Sequence, residues 1–334
     1  MARLPEPWAR WRAALGRLHP AYYRLVLDWA TLQPTRAPAD LAALNLGCMR
    51  TVRPCLPYAG LRDQLRALAS RQRRGGWVGV AVITGTPAWA AEEPSRCDPP
   101  GTLARARPPR PDALPAYRRL VADVLALARR EGAELRYWSA WNEPNHPRFL
   151  SPPCGESRAA AYTPLARALR AALGGEQRQL VGETAQLRNL PRFIAQLPED
   201  VVCSAPIYAQ HAYVGAPDPV DTVARALAAR GCPHPIWITE TGVGNTPFAL
   251  SAARRVRQGC AALHRRLVRW WRDPRVPVAF QYTLRNDDLF PTGLVSTDLS
   301  HALPELAEWT AWGGARAPSA PPPPAACGAT AGPT

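Results

Sequence analysis

The chain contains no lysine and only 2 methionines. All 41 basic side chains are therefore arginine, against 26 acidic ones, and the formal net charge is +15. A charge of that size raises nucleic-acid binding as a function. The arginines are scattered along helix faces, however, with no basic stripe interleaved with aromatic residues, so nucleic acid is not an expected partner. Arginine without lysine, with 38 prolines and abundant alanine, reads instead as the drift of a GC-rich genome. Long apolar runs are also missing. The best apolar candidate, the uncharged stretch Trp77 to Ala91, is broken by Gly85 and Pro87. It falls short of the roughly 20 residues a membrane-crossing helix needs, so no membrane span is expected. Arg3, Glu6, Arg10 and Arg12 interrupt any apolar core at the N-terminus, which excludes a signal peptide there. No Cys-x-x-Cys pair and no Cys–His ligand spacing occurs, so no metal is implied. There is no Ser-His-Asp order and no phosphate loop. Gly242-x-Gly244 lacks a third glycine at dinucleotide spacing, and no cofactor is implied.

What is present alternates. The 334 residues are 47% hydrophobic, enough for one large barrel and a tail. A helix over 6–18 carries Trp8, Trp11, Leu15 and Leu18 on one side. Strands follow at Tyr22 to Trp29, Trp77 to Thr84, Glu134 to Trp138, Gln179 to Glu183, Ala205 to His211, Pro235 to Glu240 and Val276 to Tyr282. Helices intervene at Leu61 to Arg73, Asp112 to Arg130, Ser157 to Leu173, Leu190 to Leu197, Val220 to Ala229 and Ala249 to Trp271, and a last one spans Leu303 to Trp312. The stretch 39–59 reads as irregular. Strand–helix alternation of this kind predicts a parallel sheet with right-handed crossovers, an α/β protein of the (β/α)8 TIM-barrel class. Only seven strands are visible, so strand one is missing or atypical at the N-terminus. An eighth strand, with an export signal, is expected ahead of Met1. Residues 1–312 form the predicted barrel. Residues 313–334, rich in Pro, Ala and Gly, form a tail predicted to be disordered.

Barrel chemistry collects where strands finish at their carboxyl ends. Those ends carry Asp28, Thr86 to Trp89, Asn142-Glu143, Glu183, His211 with Tyr213, Glu240 and Gln281 to Arg285. Two glutamates on separate strand ends suit glycosidic-bond hydrolysis, in which one group protonates the leaving oxygen and the other attacks or activates water. Glu143 must hold a proton when substrate arrives, a state favoured by apolar walls at Trp138 and Trp141. Trp89 is a candidate stacking platform for a sugar ring, Trp141 a wall of the cleft, Glu183 a supporting or substrate-contacting group, and Tyr282 a further contact.

The run Trp141-Asn142-Glu143-Pro144-Asn145, with Gly85-Thr86-Pro87-Ala88-Trp89-Ala90, His211-x-Tyr213 and the strand-terminal Glu240, resembles the clan-A glycoside hydrolases. It is most similar to the branch containing β-xylosidases and related glycosidases (families thirty-nine and five). The resemblance covers roughly residues 20 to 312. It implies a retaining double displacement on a carbohydrate, with Glu143 as acid/base and Glu240 as nucleophile. It also implies Asn142 on the sugar 2-hydroxyl, His211 or Tyr213 on the nucleophile side, and Arg24 beside the nucleophile. One departure is Phe280-Gln281-Tyr282, where that branch ends strand eight in Trp. The alternative is a catalytically weak carbohydrate-binding barrel, its site spoiled by the strand-one or strand-eight changes. Retention requires a carboxyl separation of about 5–5.5 Å, and inversion about 6.5–9.5 Å.

The eight cysteines suggest two pairings. Cys203 and Cys232 stand at equal offsets ahead of His211 and Glu240, on sequential strands, and so at one level of the sheet. Cys97 and Cys154 lie in neighbouring loops. Disulfides there imply an oxidising compartment, extracellular or cell-envelope. The chain is expected to be a monomer.

Overall fold

The computed structural model describes residues 11–41, 60–243, 252–286, 290–313 and 318–325. Among them are seven strands: β1 (Tyr22–Asp28), β2 (Val78–Thr84), β3 (Leu135–Ser139), β4 (Arg178–Thr184), β5 (Ile207–His211), β6 (Ile236–Thr241) and β7 (Val278–Gln281). Ten α-helices are described, α1 (Arg12–Arg17), α2 (Trp29–Leu32), α3 (Leu61–Gly75), α4 (Leu114–Arg130), α5 (Arg158–Ala172), α6 (Leu190–Gln196), α7 (Glu199–Val202), α8 (Val220–Ala229), α9 (Ala252–Arg272) and α10 (Glu305–Trp312). The strands form one parallel sheet in chain order, β1 to β7. This is the predicted barrel fold, and an eighth strand is not found among the described residues. Of the helix expected over 6–18, the described part is α1; residues 1–10 and 42–59 lie outside the described set. The short helices α2 and α7 carry too few residues for a period to show.

Parallel strands covered on both faces read as apolar runs. β2 is Val-Gly-Val-Ala-Val-Ile-Thr, and every residue of β6 is buried. Each helix offers one apolar stripe in return. In α4 it is Tyr117, Leu120, Val121, Val124, Leu127 and Ala128, at the i, i+3, i+4 spacing of one helix face. Gly76 takes a φ of 67° and closes α3 through its N–H to Gln72, the left-handed cap a side chain would strain. The main core lies between strands and helices and includes Trp29, Trp138, Trp141, Tyr117 and Tyr162. A second core fills the barrel floor, where Trp237 packs against Tyr22 and Tyr137 with ring centroids 5.2 and 4.6 Å away. A third joins the two sheet ends. Trp11 and Ala14 pack on Leu294, Val295, Leu299 and Leu306, so the segment before β1 meets the segment after β7.

Both predicted disulfides are present, Cys97–Cys154 and Cys203–Cys232, with Cα separations of 5.3 and 5.2 Å. Of the expected tail, residues 318–325 are described, with Trp271 donating to the Pro318 carbonyl (3.1 Å) and the Ala325 N–H donating to Glu308 (3.1 Å). No described helix is long and apolar enough to cross a membrane.

Candidate active site

The register of the sheet explains how so many polar groups face inward at one level. Strand side chains alternate, so neighbours in sequence normally face opposite sides. Two bulges break that rule. Gly182 pairs with Ala209 and Thr184 with Gln210, which leaves Glu183 as an extra residue in β4. Gln210 pairs with Ile238 and His211 with Glu240, which leaves Thr239 as an extra residue in β6. A bulge re-aims side chains, and here it lets Thr239 and Glu240 both reach the interior. Glu143 and Glu183 take φ values of 45° and 55°. Such left-handed backbone at a non-glycine residue costs on the order of 1–3 kcal/mol and persists only where the surroundings impose it. Those surroundings are visible. The Glu143 N–H donates to the Glu183 carbonyl and that of Asn142 to the Ile83 carbonyl, both at 2.9 Å. Asn145, fully buried, ties the same loops through its side chain to both backbone groups of Ala185 (2.9 and 2.7 Å). It was not singled out from sequence; its position in the Asn-Glu-Pro-Asn run was the only signal.

Arg24 spans the site. Its guanidinium donates to Glu240 Oε1 at 2.7 Å, to Asn142 Oδ1 at 3.0 Å and to Glu183 Oε2 at 3.2 Å. Burial opposes its charge, but Glu183 and Glu240 outweigh that and raise its pKa. The bond to Arg24 commits the amide oxygen of Asn142 and leaves the NH2 end to donate. His211 is buried between three carboxylates. Nδ1 lies 2.9 Å from Glu143 Oε1 and 3.3 Å from Glu240 Oε2, and Nε2 lies 2.9 Å from Glu183 Oε2. Burial disfavours a charged imidazole, yet Glu240, Glu143 and Glu183 together push its pKa up to about 10. Burial likewise opposes the Glu183 carboxylate, but Arg24, His211 and Thr239 hold it down at about 2. The Tyr213 hydroxyl donates a short hydrogen bond to Glu240 Oε2. Burial and that carboxylate raise the phenol well above its ordinary pKa, so it stays a donor.

One oxygen of Glu143, one of Glu240 and a ring nitrogen of His211 all lie within 4.8 Å of one another. That spacing could also hold a cation. Here Arg24 already neutralises Glu240, and both nitrogens of His211 are engaged with carboxylates. Glu143 is the most open of the three glutamates, its side chain 15% exposed.

The structure thus gathers Glu143, Glu240, Asn142, Arg24, His211 and Tyr213. Tyr282 is half-buried beside them, close enough to act electrostatically on Arg24 and Tyr213, with Phe290 at 5.9 Å. Three expectations change. Trp141 is fully buried in the main core, its indole N–H on the Phe149 carbonyl (2.8 Å), and offers no face to a substrate. Trp138 is also core, so neither walls the glutamates. Glu183 is fully buried with both oxygens occupied, which of its two expected roles fits the supporting one. Trp89 packs edge-on to Trp29, under the Arg36 guanidinium, and its indole N–H is bonded to the Gln33 carbonyl (2.9 Å).

No protein-family model matches the chain, and no curated protein does. Solved structures share its fold. A monomeric β-xylosidase from Caulobacter crescentus CB15 aligns with a TM-score of 0.57 at 16% identity, over 92% of this chain and 64% of that one. A GH30 endoxylanase from Clostridium papyrosolvens C71 aligns with a TM-score of 0.58 at 14% identity, over 90% and 66%. A conserved exported protein from Bacteroides fragilis aligns with a TM-score of 0.58 at 13% identity, over 85% and 67%. The chain therefore spans about two thirds of the length of these structures. At such identities the likeness establishes the TIM-barrel fold.

Proposed function

We propose that this chain is a retaining glycoside hydrolase, with Glu143 as acid/base and Glu240 as nucleophile. The observation that carries the reading is the pair's separation, with one oxygen of each within 4.8 Å of the other. That bound is compatible with carboxyl groups about 5–5.5 Å apart, the spacing of a retaining enzyme, and is shorter than the about 6.5–9.5 Å of an inverting one. In the first step Glu143 gives its proton to the glycosidic oxygen while Glu240 attacks the anomeric carbon. The aglycone leaves, and a glycosyl ester remains on Glu240. In the second, Glu143 takes a proton from water, which attacks the same carbon and releases Glu240. Arg24 and Tyr213 hold Glu240 in position through their hydrogen bonds, and the Asn142 amide donates to the sugar 2-hydroxyl, a contact that strengthens in the transition state.

The fold neighbours include a β-xylosidase and a GH30 endoxylanase, which makes xylosides the first substrates to try. The disulfides Cys97–Cys154 and Cys203–Cys232 support an oxidising, extracellular or envelope setting. The reading includes action as a monomer. The test is hydrolysis of aryl glycosides and xylan, with the anomer of the first product read by NMR. Retention supports the proposal. Inversion overturns the mechanism. Glycan binding without turnover favours a carbohydrate-binding barrel.

A further inference from the structure

Three carboxylates meet in this site, and the reaction proposed above uses two. Glu183 is wholly buried and sits on the β4 bulge. Four strands supply its donors. The Ser139 hydroxyl of β3 reaches Oε1 at 2.8 Å. The Thr239 hydroxyl of β6, the His211 Nε2 of β5 and the Arg24 guanidinium of β1 reach Oε2 at 2.7, 2.9 and 3.2 Å. A buried carboxylate with every partner drawn from a different strand is an anchor, and its burial excludes contact with a sugar.

We infer that Glu183 is a positioning residue whose negative charge holds His211 and Arg24, the two cations that orient Glu143 and Glu240. The consequence for turnover rests on the glycosidase reading; the linkage itself does not. Because Glu183 accepts from Nε2, the His211 ring is fixed in rotation, and Nδ1 is the nitrogen that faces both Glu143 and Glu240. The charged groups around the ring are Glu143, Glu183 and Glu240, with Arg24 bound to the last two and Tyr213 bound to Glu240. Burial alone would leave His211 neutral, so its charge depends on these carboxylates. Glu183 is the one among them that substrate never reaches, so its effect persists through the catalytic cycle.

The experiment compares the intact chain with Glu183→Gln and Glu183→Asp. Nitrogen-15 NMR of the imidazoles, without substrate, follows His211, identified by the signal lost in His211→Gln. Thermal melting and pH profiles of kcat and KM are recorded in parallel. The expected result is a His211 ring protonated at pH 8 in the wild type. In Glu183→Gln its titration moves down by a pH unit or more. In the same variant kcat falls about 100-fold, the scale of a misplaced reacting group, while KM changes little. Glu183→Asp, which keeps the charge, restores part of the titration. A folded Glu183→Gln protein with an unmoved His211 titration overturns the inference, as does a wild-type ring already neutral at pH 8. If Glu183→Gln does not fold, the wild-type and Asp titrations decide. The NMR readout needs no turnover, so failure to hydrolyse any glycan would count against the proposed function and leave this linkage standing.

Discussion

Arg24 on β1 and Glu240 on β6 form an ion pair of 2.7 Å with side chains only 6% and 8% exposed, although the two strands are not neighbours in the sheet. The pair therefore reaches across the barrel interior. Taking two charges out of water is costly, and their attraction repays it only with further hydrogen bonds, which Asn142 and Glu183 supply. Arg24→Ala would leave Glu240 and Glu183 buried with His211 as their remaining cation. The expected loss is about 3–5 kcal/mol of stability, read by chemical denaturation, with kcat collapsing in whatever remains folded. Arg24→Lys should rescue only part, because a single ammonium cannot match the planar fork that spans three acceptors.

Glu143→Gln separates the two chemical steps. Proton donation by a placed acid is worth about 10²–10⁴-fold. The variant should lose that factor on xylosides with poor leaving groups, and little in the first step on dinitrophenyl glycosides, whose aglycone needs no proton. A pre-steady-state burst with the activated substrate, followed by slow turnover, is the expected trace. Equal losses on both substrate types would remove Glu143 from the acid role.

Trp141→Ala distinguishes core from cleft. The side chain is fully buried among helix-facing residues, so truncation opens a cavity at a cost of about 3–5 kcal/mol. Urea denaturation should show that loss, while KM for small glycosides stays within a few-fold of the wild type. A large rise in KM in a protein of undiminished stability would return Trp141 to the cleft.

The barrel and the two strand-end glutamates, Glu143 and Glu240, were legible because their signals are local. Apolar runs ending in a carboxylate mark strand ends, and the Asn-Glu-Pro-Asn run stands out against ordinary loops. Cys203 and Cys232 could be paired because equal offsets along parallel strands put residues at one height, as the 5.2 Å Cα separation bears out. Trp141 misled for the same reason. A tryptophan beside a candidate catalytic glutamate resembles a cleft wall, but Trp141 lies past the end of β3 and is fully buried in the main core, its indole N–H on the Phe149 carbonyl. Sequence could not choose between the supporting and the substrate-contacting role for Glu183, because the choice depends on bulges, and a bulge is decided by pairing between strands distant in sequence.

The Cys203–Cys232 bridge ties the start of β5 to the start of β6 at the end of the barrel opposite the glutamates. Replacing both by serine should cost about 2–4 kcal/mol without altering kcat for the folded enzyme. Opening Cys97–Cys154 should do the reverse, since that bridge joins the loops after β2 and β3 at the cleft. There KM should rise more than stability falls. Denaturation curves and Michaelis profiles for both double variants test the contrast, and identical behaviour would contradict it.

The pH dependence of stability follows from the buried pair His211 and Glu183. The His211 pKa is raised in the fold to about 10, so its contribution is full below its ordinary value near 6.5 and is lost as pH climbs through about 10. Glu183 is lowered to about 2, so its contribution is full above the ordinary carboxylate range and is lost as pH falls through about 2. The melting temperature should therefore be highest between roughly pH 4.5 and 6.5 and decline on both sides, with the alkaline decline extending to about 10. His211→Gln removes the group that titrates on the alkaline side. In that variant the fall between neutral pH and about 10 should flatten while the acid limb remains. An alkaline limb of unchanged slope would assign it to other groups and break the charge balance described for this site.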